Sequence, residues 1–71
     1  MDKTTVWNPD ALKAARRIFG HSQEKAARNM GISWATVQRW EKGKVVPRGL
    51  YMDRVVDYIK EAKKFEEKNN G

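Results

Sequence analysis

The 71 residues include no cysteine, so the fold relies on neither a disulfide nor a cysteine-ligated metal. There is one histidine, His21, with no second histidine or cysteine to complete a metal site and no nearby nucleophile to activate. No catalytic residue, metal or cofactor is therefore expected, and the sequence does not read as an enzyme. No apolar run approaches the ~20 residues that cross a bilayer. The N-terminus also lacks the apolar core of a secretory signal, so a cytoplasmic protein with no membrane partner is expected. Strand signals, repeats and low-complexity tracts are missing as well. Acidic residues are scarce where basic ones are dense: residues 13 to 48 hold nine basic side chains against only Glu24 and Glu41, a net of +7. The whole chain carries +6, and residues 49 to 71 are balanced at five of each sign, the pattern of a solvated helix face. A cationic middle of this kind attracts polyanions, nucleic acid or acidic membrane.

What is present reads as helices. Asn8-Pro9-Asp10 is a helix start, with Asn8 as cap, Pro9 where its missing N–H costs nothing, and Asp10 at the positive dipole end. Trp7 and Leu12 have the spacing of a hydrophobic staple. Leu12, Ala15, Ile18 and Phe19 mark the buried face of a helix over 9–19 that Gly20 ends. Ser22 caps a second helix over 23–30, with Ala26, Ala27 and Met30 on one side and Gly31 at its end. Ser33 caps a third over 34–42, with Val37 and Trp40 inward and Gly43 as terminator. A loop to Pro47 leads into a fourth helix over 48–68, the longest. The expectation is an all-α, compact bundle of four helices: an N-terminal arm over 1–7, one domain over 8–68 and a disordered tail over 69–71.

The second and third helices, joined by a short glycine-containing turn, describe a helix-turn-helix. Their close crossing asks for a small contact residue (Ala27), a turn residue tolerant of positive φ (Gly31), and apolar anchors (Ile32, Val37, Trp40). From Arg16 to Pro47 the chain resembles the lambda-repressor-like family of phage Cro and repressor proteins. The Ser-Gln-Glu-x-Ala-Ala segment, the Gly-Ile-Ser turn, the Val-Gln-Arg-Trp-Glu run and the Gly-Lys-x-x-Pro exit carry the likeness. It also resembles the DNA-binding halves of antitoxins, where Pro-x-Gly, here Pro47-Arg48-Gly49, opens the next helix. Family members commonly have five helices; here one long helix stands for the last two.

The resemblance implies sequence-specific binding to double-stranded operator DNA, usually as a homodimer on a palindrome, and hence transcriptional repression. It places Gln23 on a phosphate and the exposed Trp34, Ala35, Gln38 and Arg39 in the major groove, with Ser33 and Thr36 close by for phosphate or base contacts. Arg39 is the candidate for bidentate recognition of guanine. Lys42 and Lys44 follow as phosphate contacts, and Glu41 matches a family glutamate that pairs with an arginine of the first helix, here Arg16. Trp34 has a second reading, packing against the fourth helix or the N-terminal arm, and Trp40 is read as core.

On the fourth helix Met52, Val56 and Ile59 form one apolar stripe and Tyr51, Val55, Tyr58, Ala62 and Phe65 an adjacent one, wider than the ~100° that covers one core. At ~1.5 Å per residue its far end overhangs the shorter helices. Tyr58, Ala62 and Phe65 are thus expected to form a dimer or partner surface, the alternative being that Phe65 folds back over Val6 and Trp7. The rival function is an antitoxin-like protein-interaction module using this helix. Asp53, Asp57 and Glu61 share one row, but Lys60, Lys63 and Lys64 between them make it a solvated face. RNA binding is disfavoured, since no sheet with stacking aromatics is expected.

Overall fold

The computed structural model describes residues 6–70, Asn70 by its backbone alone. Residues 1–5 of the expected arm and Gly71 of the expected tail lie outside the described residues. Four helices follow in order: α1 (Pro9–Phe19), α2 (Gln23–Met30), α3 (Trp34–Glu41) and α4 (Leu50–Asn70).

Each of the first three starts on a side chain that replaces a missing backbone acceptor. Asn8 Oδ1 accepts from Asp10 N at 2.7 Å, Ser22 Oγ from Lys25 N at 3.1 Å and Ser33 Oγ from Thr36 N at 3.2 Å. All three end in one way. At the end of α2, Gly31 N donates to Arg28 O at 3.2 Å and Ile32 N to Ala27 O at 2.9 Å, satisfying carbonyls that the helix leaves over. The bend needs Gly31 at φ +71°, where a side chain would be strained. The same pair of bonds closes α1 at Gly20 and His21, and α3 at Gly43 and Lys44. α3 therefore stops at Glu41, one residue earlier than expected, with Lys42 as its cap.

The core draws on every helix. Leu12 and Ala15 meet Ala26, Ala27 and Met30, then Val37 and Trp40, then Val55, Val56, Tyr58, Ile59 and Ala62. Trp7 packs edge-on against Trp40, ring centroids 6.3 Å apart, tying the residues before α1 to the end of α3. α4 lies mainly along α1 and also touches α2, so its apolar arc serves two neighbours.

That double contact corrects the reading of α4. Tyr58 (5% exposed) and Ala62 (0%) are inside the fold and form no outward surface. Phe65 stays half exposed and rests on Phe19, ring centroids 5.3 Å apart, rather than on Val6 and Trp7. α4 begins two residues later than expected and runs on through Asn69 and Asn70, so the predicted disordered tail is helical there. Asn69 Nδ2 donates to Phe65 O at 2.8 Å, and no proline or glycine interrupts the helix before its end.

Candidate nucleic-acid interface

α3 turns Val37 and Trp40 inward, which leaves Trp34, Ala35 and Arg39 exposed on the opposite side, with Gln38 partly so. Ala35, Gln38, Arg39, Lys42 and Lys44 line one open depression together with Val45. Ser33 and Thr36 stand at the start of α3, their hydroxyls 2.7 Å apart. One hydroxyl donates to the other, leaving one O–H to donate outward.

The sign of this face is set by where its single carboxylate goes. From Ser33 to Gly49 the only acidic residue is Glu41, and it is 5% exposed. Arg16 of α1 meets it with two bonds, Nε to Oε2 at 2.8 Å and Nη2 to Oε1 at 3.1 Å. Arg16 Nη1 also donates to His21 O at 3.2 Å. With Glu41 withdrawn and paired, the exposed charges of the segment, on Arg39, Lys42, Lys44 and Arg48, are all positive. The hydrogen bond to Glu41 raises the Arg16 guanidinium above its usual pKa.

Gln23 is more constrained than a free phosphate ligand. Its Nε2 donates to Glu41 Oε1 at 3.0 Å and its Oε1 accepts from Trp34 Nε1 at 3.2 Å. One amide hydrogen is left for a phosphate. A single polar chain thus runs from the exposed indole of Trp34 through Gln23 and buried Glu41 to Arg16. Trp34 leans toward α2, bordering a hollow with Glu24, Ala27, Arg28 and Ile32. Among the described residues it has no hydrogen bond to α4 or to the residues before α1.

Two features escape sequence reasoning. Arg54 of α4 donates through Nη1 to Gly31 O at 3.0 Å, with Met30 O at 3.5 Å, holding the turn between α2 and α3 from behind. Nothing in the spacing of Arg54, one charge among many on α4, marks it out. His21, assigned no chemistry, stacks on Phe19 and bonds the Tyr58 hydroxyl through Nδ1 at 2.8 Å. Burial, then the charge of Lys25, lowers the His21 pKa from 6.5; burial pushes Tyr58 up to about 12. The pair is a neutral brace between the α1–α2 turn and α4, on the core side.

Two short helices crossing at a glycine turn, the second presenting a cationic and polar face, define a helix-turn-helix DNA-binding protein. The helix-turn-helix family model matches residues 12–61, 50 of the 71, and the chain belongs to that XRE or lambda-repressor-like family. Neither a curated protein nor a solved structure matches it. No described helix is long and apolar enough to cross a membrane.

Proposed function

We propose that this protein is a sequence-specific transcriptional repressor that lays α3 in the major groove of an operator and blocks transcription by occupying it. The observation that carries the reading is the burial of Glu41 against Arg16, which leaves an unbroken cationic face around exposed Ala35 and Arg39 and partly exposed Gln38. Arg39, on the last turn of α3, is the side chain for a guanine edge. Gln38 serves the neighbouring base. Lys42, Lys44, the free amide hydrogen of Gln23 and the Ser33–Thr36 hydroxyls hold phosphates, which fix register without reading sequence. Two copies on a palindrome place their recognition helices about 34 Å apart, one turn of DNA.

Selection of bound duplexes from a random pool at about 150 mM salt, where indiscriminate phosphate binding is weakened, tests this. A shared motif is the expected result, palindromic if two copies bind, and a promoter overlapping that motif should fall silent when the protein is expressed. Recovery of no motif overturns the proposal.

A further inference from the structure

Trp34 offers DNA something narrower than its residue type implies. An indole has one hydrogen-bonding group, the Nε1–H donor. Here that donor is committed to Gln23 Oε1, and Gln23 is held in turn by buried Glu41. Trp34 is nevertheless 48% exposed, and Ala35, the next residue along α3, exposes a methyl group as well. Trp34 and Ala35 therefore present carbon beside the Ser33–Thr36 hydroxyl pair, whereas Gln38 and Arg39, about one turn on, present donors.

Major-groove base edges consist of hydrogen-bond donors and acceptors with one apolar exception, the C5-methyl group of thymine. A tethered indole with no free donor cannot satisfy an exposed acceptor, and packing it there would strip water from a polar edge without replacement. We propose that Trp34, with Ala35, forms a methyl-reading subsite that selects a 5-methylpyrimidine, thymine in ordinary DNA, at one position of each half-site. The tether through Gln23 and Glu41 fixes the ring before DNA arrives, so little side-chain freedom is lost on binding. This rests on α3 entering the major groove as proposed above.

The test uses the full chain and the duplex recovered by selection. Each thymine is replaced in turn by uracil, which removes only the methyl group, and each cytosine by 5-methylcytosine, which adds one. Burying one such carbon is worth ~0.8 kcal/mol, about a fourfold change in Kd. We expect one position per half-site at which uracil weakens binding about fourfold, and at which Trp34→Ala binds both duplexes equally. Circular dichroism and a cooperative urea transition verify that Trp34→Ala keeps its fold. A specific motif with no position whose methyl dependence disappears in Trp34→Ala overturns the subsite while leaving the repressor reading intact. Recovery of no motif overturns both.

Discussion

Arg16 and Glu41 are unequal partners, and the inequality can be measured. The Glu41 side chain is 4% exposed and that of Arg16 20%, so removing the arginine leaves the more deeply buried charge unpaired. Arg16→Met should cost about 3 kcal/mol or more in urea denaturation, the range for an orphaned buried ion, and Glu41→Gln about half as much because Arg16 retains water and His21 O. His21 supplies a second test. Its pKa is lowered in the fold by burial and then by Lys25, so below about pH 6.5 the unfolded chain takes up the proton first. Stability should be level above that value and fall as pH drops through it toward the folded-state pKa. His21→Phe, which keeps a ring against Phe19 and Tyr58 but cannot titrate, should flatten the melting temperature between about pH 7 and about pH 5.5.

At the level of elements, what could be read from the sequence was whatever is decided locally. Asn8, Ser22 and Ser33 cap the helices they precede, and Gly20, Gly31 and Gly43 close the first three, because a cap or a left-handed residue acts within a few positions of itself. What was misread depends on partners distant in sequence. The wide apolar arc of α4 looked like surplus surface because its contact with α2, beyond that with α1, is invisible in a one-helix pattern. The bonds of Gln23 to Glu41 and Trp34, 18 and 11 residues away, are likewise invisible in a local pattern. The Arg16–Glu41 pair, implied by family likeness, lies 25 residues apart and is not derivable from helix period. The α2–α3 turn is where an element-scale substitution is most informative. Gly31→Ala should cost about 1–2 kcal/mol, the penalty of a left-handed Cβ, measured by urea denaturation. Steric crowding adds to this, since the new Cβ meets Arg54 Nη1 at 3.2 Å and displacing that guanidinium loosens its bond to Gly31 O.

For the molecule as a whole, charge and apolar surface make separable contributions to DNA binding. Lys44→Ala should weaken binding to every sequence and reduce the slope of log K against log salt by about one, while Arg39→Ala should relax preference at one base pair, costing about 1–3 kcal/mol on the specific site. Equal losses on specific and random DNA for both variants would contradict the base-reading role of Arg39. With Tyr58 and Ala62 inside, four of the exposed large apolar residues, Val45, Val46, Leu50 and Tyr51, follow α3, while Trp34 and Phe65 stand apart from them in the chain. Arg39, Lys44 and Arg48 line the same groove as Val45, Val46 and Tyr51, and their like charge opposes pairing of two copies there. Sedimentation at tens of micromolar should therefore show the 8.3 kDa chain alone, and two copies only on a palindromic duplex.

The polar chain behind α3 also limits how this scaffold can be retargeted. Ala35, Gln38 and Arg39 make no side-chain hydrogen bond to other described residues, so exchanging those three should redirect the proposed recognition without disturbing the fold. Transplanting a whole foreign helix is a different operation. A donor segment without the glutamate of position 41 strands an arginine of α1, and one without the indole of position 34 releases Gln23 from one of its two restraints. New specificities are therefore reached by changing the middle of α3 while its two ends are inherited together with α1 and α2.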